Sequence, residues 1–180
     1  MLNVPHTRPL APTNRKNNMI RNLSILIVIL FTSLSINGQN LFFIGEKSYQ
    51  CTESIALQSN AERTGDLNVL FAKDNNNAFF VVQTKPNMDS DFSGKLIIYL
   101  DDGTVITCND ISEFENVDAS AKAVYSLTKE QLNKMKISNI NTVRYTLIEN
   151  GYKEVNQSAS NNKNSTKTNF PNLIKGLFKE

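Results

Sequence analysis

The stretch Lys95-Leu-Ile-Ile-Tyr-Leu-Asp-Asp-Gly-Thr-Val-Ile-Thr-Cys108 decides the fold class. Two apolar runs flank Asp101-Asp102-Gly103. Asp-Gly in that setting is the strongest short-range signal of a β-hairpin, because both residues accept the backbone angles that a tight turn demands. With Asp102-Gly103 as a two-residue loop, Leu100 should face Val105 and Tyr99 should face Ile106. Residues 96–100 are apolar at both parities, which predicts a central strand covered on each side.

The same grammar extends in both directions. Upstream, Leu67, Val69 and Phe71 lead into Asp74-Asn75-Asn76-Asn77, and Phe79-Phe80-Val81-Val82 follows. Asn and Asp tolerate left-handed backbone, so this is a second hairpin. Tyr49, Cys51, Ile55 and Leu57 share one parity of a first strand near 47–58. Downstream, Val143, Tyr145 and Leu147 alternate with Thr142, Arg144 and Thr146, the pattern of a sheet with one wet face. Asn150-Gly151 closes that strand, and Tyr152-Lys-Glu-Val155 begins a return.

One helix interrupts the strands. Thr128 and Gln131 have capping-box spacing, with Leu127 and Leu132 placed as a hydrophobic staple. The helix should span 128–136 and bury Leu132 and Met135. Strands in succession with one late helix predict a mainly β, β-rich α+β fold: an antiparallel sheet or small sandwich of about 6–8 strands.

The domain is expected over residues 39–155. Beyond it, residues 156–169 are polar and read as a flexible linker. Phe170, Leu173, Ile174, Leu177 and Phe178 then recur at the spacing of an amphipathic helix, over residues 170–180. Asn169 suits its cap and Pro171 its first turn. So short a helix, carrying Gly176, is marginal alone in water. This tail must dock on its own domain or on a partner.

The N-terminal end carries a different signal. Residues 23–36 form the longest apolar run, 14 residues, shortly after Arg21 and just before Asn37-Gly38-Gln39. That is the layout of a secretory signal peptide over 19–38, cleaved after Gly38. The competing interpretation is an uncleaved anchor, although the run falls short of the roughly 20 residues a spanning helix needs. No transmembrane segment is expected once the leader is removed. Residues 1–18 hold three prolines and four asparagines without apolar periodicity. They read as disordered, or as lying upstream of a true start at Met19.

Charge follows the same division. The chain has 19 Lys and Arg against 17 Asp and Glu, net +2. Residues 1–38 carry four of the basic residues and no acid, so residues 39–180 are net −2. Nucleic-acid binding needs clustered cations along a strand of phosphates, and the sequence shows no such cluster. Export to the periplasm or the exterior permits a disulfide between Cys51 and Cys108, the only cysteines. Such a bridge would stabilise by about 3–4 kcal/mol in the chain-entropy view. The alternative is two buried thiols on unconnected strands.

The single histidine, His6, precedes the body. Histidine-based triads and ordinary zinc sites are therefore out of reach there, and no glycine-rich phosphate loop is present. No cofactor or metal is expected. Carboxylate pairs remain, Asp101 with Asp102 and Glu113 with Glu115, and a glycosidase needs only two suitably spaced carboxyls. Asp89-Ser-Asp91-Phe-Ser93-Gly94 imitates half a calcium loop, but Leu100 stands where the bidentate glutamate belongs. Arg144, on a wet strand face, offers an anchor for an acidic ligand, although such an arginine more often pairs with a neighbouring carboxylate across the sheet. Tyr49, Tyr125 and Tyr152 offer surfaces for sugar or peptide if exposed, but read first as ordinary strand residues, since aromatics fit a pleated surface. The 25 asparagines read as compositional bias.

Together these features predict an exported, non-catalytic module that binds a protein or glycan at the bacterial cell envelope. The alternative is a small exported hydrolase using a carboxylate pair.

Overall fold

A computed structural model describes residues 40–61, 64–86, 89–109, 111–117, 120–162 and 165–179. The leader segments 1–18 and 19–38 lie outside the described residues. The strands are β1 (Asn40–Ile44), β2 (Lys47–Cys51), β3 (Ile55–Ser59), β4 (Leu67–Asp74), β5 (Asn77–Thr84) and β6 (Ser90–Leu100). Next come β7 (Val105–Cys108), β8 (Ile111–Val117) and β9 (Ser120–Leu127), then helix α1 (Lys129–Met135). Strands β10 (Ile140–Glu149) and β11 (Lys153–Ser160) and helix α2 (Phe170–Leu177) complete the elements of the described residues.

The fold is mainly β and antiparallel, with more strands than the sequence suggested. Eleven strands form one sheet, its main path running β7-β6-β10-β11-β3-β4-β5-β9-β8. The ends of this path approach each other and the sheet curls into a barrel-like form. Side chains bridge the seam. The Asn116 amide on β8 donates to the Ser90 carbonyl (3.2 Å) and to the carboxylates of Asp89 and Asp91 (3.1 Å each). The calcium-like run is thus part of a seam clasp. Gly94, in the same run, has φ +63° beside a register shift between β6 and β10; such a bulge bends a long strand around a barrel.

The interior is packed from every strand that faces it. Leu57, Val69, Phe71, Phe80, Leu96, Ile98, Tyr125, Val143 and Leu147 are all buried there. A second apolar layer lies outside the sheet. The β1–β2 hairpin lays Phe42, Ile44, Tyr49 and Cys51 over Ala72, Val81 and Val124. Tyr49 meets Phe79 edge-on, with ring centroids 5.2 Å apart.

The expected first strand is split in two. β2 and β3 both pair with β4, Cys51 opposite Ala72 and Ile55 opposite Val69. One extra residue lies between them, and Thr52 fills the step: its hydroxyl accepts from the Phe71 N–H at 3.1 Å. Since strand side chains alternate, one inserted residue moves the following ones to the other face. Tyr49 and Cys51 therefore pack outside while Leu57 packs inside.

Two further expectations are corrected. Residues 96–100 are covered on one side only: Leu96, Ile98 and Leu100 are buried, whereas Ile97 and Tyr99 are half-exposed. The strands covered on both faces are β5 and its neighbours β4 and β9, where the β1–β2 hairpin folds over Ala72, Val81 and Val124. The β6–β7 register also differs by one residue, with Tyr99 opposite Val105 and Ile98 opposite Ile106. The loop has three residues, Asp101-Asp102-Gly103, with Gly103 at φ +85°. This is the turn-plus-left-handed-glycine connection. The Gly103 N–H donates to the Leu100 carbonyl (3.1 Å), and Leu100 N–H to the Thr104 carbonyl (2.9 Å).

The other local signals correspond to what forms. Asn75 and Asn76 make the two-residue β4–β5 turn, with Asn75 at φ +50°. Thr128 and Gln131 form a reciprocal capping box, and α1 buries Leu132 and Met135. β10 alternates as expected. β11 continues to Ser160, five residues into the stretch expected to be linker, because its backbone pairs on both sides with β10 and β3.

Candidate functional site

The C-terminal tail, expected from its apolar spacing to dock on its own domain or on a partner, packs into its own barrel. Phe170 and Ile174 are fully buried in the main core, and Leu173, Leu177 and Phe178 pack against it. The Phe170 ring meets Phe71 edge-on at 6.2 Å. Asparagine amides hold the approach. Asn139 accepts from the Phe170 N–H and donates to the Thr168 carbonyl, both at 3.0 Å. Buried Asn161 donates to the Ile140 and Thr168 carbonyls (2.9 Å each) and accepts from the Thr168 N–H (3.0 Å). Composition alone gave no sign that these asparagines differ from the other asparagines; only their partners identify them.

The docking of α2 creates a cleft at this mouth of the barrel. It has a volume of about 380 Å³ and lies between the β4–β5 turn, α1 and the end of α2. The turn contributes Lys73, Asn75, Asn76 and Ala78; α1 contributes Lys129, Leu132, Asn133 and Lys136; the tail contributes Phe178 and Lys179. Residues 129, 132, 133 and 136 have the spacing of one helix face. Lys73 Nζ donates to the Leu177 carbonyl at 2.8 Å, which ties the β4 cation to the C-terminal end of α2, where carbonyls favour positive charge. Ammonium groups at the rim above an apolar floor can hold an anion and orient it. The sequence held all four lysines, but they lie far apart in it and nothing in their spacing joins them.

The sequence-nominated carboxylates sit elsewhere. Asp101 accepts from the Asn141 amide (2.9 Å) and pairs with Lys167 (3.0 Å); these partners hold its carboxyl below the usual range, Asn141 foremost. Asp102 accepts from the Thr104 N–H at 2.9 Å, which lowers it likewise. On β8, Glu113 pairs with Lys47 and accepts from the Tyr49 hydroxyl at 3.2 Å, while Glu115 pairs with Lys122 at 3.0 Å. Burial, and then the Glu113 charge, push the Tyr49 phenol up. Each member of both pairs thus has a structural partner.

Cys51 and Cys108 are free, buried thiols on opposite faces of the sheet, so of the two alternatives the sequence left open the buried thiols form and the bridge does not. Burial pushes the Cys108 thiol up to about 11 and raises Cys51 too. Tyr49 and Tyr125 are buried, and Tyr152 is exposed. Arg144 donates to the Tyr99 hydroxyl at 3.3 Å and lines a shallow groove of about 250 Å³ with Lys95, Thr146, Asn156 and Gln157. Among the described residues no helix is long and apolar enough to cross a membrane. Among them, too, no three His, Cys, Asp or Glu side chains gather as a metal-ligating group. Neither a protein-family model nor a curated protein matches this sequence.

Proposed function

We propose that this chain is an exported, non-catalytic module that binds a glycan or protein partner at the bacterial cell envelope, through the lysine-rimmed cleft at its barrel mouth. The observation that carries this function is the chemistry of the cleft: cations and amides around an apolar floor, a set suited to holding a ligand. Export rests on the apolar run at residues 23–36 behind Arg21. The candidate carboxylates support a binding role, since ion pairs, a phenol hydroxyl, an amide and a turn N–H already occupy them.

Envelope fractions passed over the immobilised protein test the proposal. One fraction should be retained by the native domain, released by high salt and ignored by the heat-unfolded domain. Turnover of any substrate by the purified protein, abolished by one carboxylate-to-amide change that leaves the fold intact, would overturn it.

A further inference from the structure

Taking the binding role above as given, we propose that the cleft binds an acidic sugar: a ring bearing phosphate or carboxylate, free or as one unit of a longer glycan. Lys73, Lys129, Lys136 and Lys179 all line one opening, in a body whose sequence is net −2 over residues 39–180.

Among the described residues, the acids that adjoin these lysines in sequence are turned away. Asp74 follows Lys73 on β4, and neighbouring strand residues point to opposite faces. Its charge is felt by Lys47 and Tyr49 on the outer layer. Glu130 follows Lys129 and pairs with Lys134 at 2.7 Å, off the lining face of α1. Like charges gathered together repel each other, and a bound anion relieves that repulsion.

The amides and the floor narrow the ligand from any anion to a sugar. Asn75, Asn76 and Asn133 stand among the lysines. An amide both donates and accepts, as a hydroxyl requires, whereas a lysine only donates. Leu132 and Phe178 give the apolar C–H face of a ring something to lie on. A volume of about 380 Å³ falls within the range of small-ligand sites.

The test titrates the purified protein with glucose 6-phosphate, trigalacturonate, neutral maltotriose and polyglutamate, followed by amide chemical shifts at low and high salt. Saturable shifts at the β4–β5 turn and α1 are expected with the acidic sugars, weakening with salt. K129Q/K136Q should bind about tenfold more weakly, from two rim charges, while K134Q binds as the parent does. Response to both acidic sugars supports recognition of the unit wherever it occurs; response to trigalacturonate alone supports the glycan as its source. Equal binding of maltotriose, equal binding of polyglutamate, or no saturable binding of either acidic sugar overturns the proposal. The binding role itself falls by the separate turnover result given above.

Discussion

Phe170→Ala measures how firmly the C-terminal helix is built into the barrel. The ring is fully buried, 6.2 Å from Phe71 at an interplanar angle of 64°. Emptying such a site costs about 3–5 kcal/mol, of which the edge-on ring pair supplies about 0.5–1.5 kcal/mol. The Asn139–Phe170 bond uses the backbone N–H and survives the change, so the loss isolates the ring. Release of the tail offers no cheap escape, because it would strip Phe170 and Ile174 from a core to which both belong. A loss of about 4 kcal/mol lowers the melting temperature by about 8–16 °C in a chain of this length. Urea unfolding followed by circular dichroism supplies the free energy. Hydrogen exchange at the Phe178 N–H, bonded to the Ile174 carbonyl at 2.9 Å, reports on α2 itself. Lys175→Ala, on the exposed side of the helix, should change stability by less than about 0.5 kcal/mol. A loss below about 1 kcal/mol in Phe170→Ala, at unchanged denaturant slope, would refute the plugged tail.

Two further outcomes follow from the same contacts. Both cysteines should react with a thiol reagent only after unfolding, and raising the pH to 9 should not expose Cys108, whose pKa burial lifts to about 11; fast labelling of the native protein, or a native disulfide, would contradict the buried thiols. Asp101 is held below its ordinary pKa in the fold, so its stabilisation is complete above about pH 4 and fades as the pH falls through the folded value. Asp101→Asn should therefore lower stability at pH 7 by less than about 1 kcal/mol, the pair with Lys167 being partly exposed, and should flatten the acid limb of the stability profile. An acid limb as steep as the parent's would remove Asp101 as its cause.

Much of the fold was legible because it is written in short-range chemistry. Thr128 and Gln131 announce α1 since a capping box needs only neighbouring residues. The Asp74–Asn77 turn and the alternation of β10 are equally local. The limits were local too. Asp101-Asp102-Gly103 supports two-residue and three-residue loops alike, and only the neighbouring pairings decide between them. Residues 156–160 are polar and look unfit to order, yet β11 forms because β10 and β3 supply hydrogen bonds to its backbone on both sides. Polar side chains say little about a strand whose stability comes from its main chain.

The candidate site was legible only in part. The tail's apolar stripe and cap could be read because helical periodicity is local, but its docking surface could not. The cleft was invisible, since Lys73, Lys129, Lys136 and Lys179 meet only when β4, α1 and the chain end converge. The two cysteines made the same point in reverse. An inserted residue at Thr52 turns the chain so that Cys51 packs outside the sheet while Cys108 packs within.

By itself, the sequence determined the elements: strand alternation, turn chemistry, helix caps and the apolar stripe of the tail, all fixed by interactions among residues a few positions apart. Only the tertiary structure decided which faces are covered, which thiols stay apart and which lysines share an opening, because those outcomes depend on how a bent sheet closes and on what then packs across its mouth.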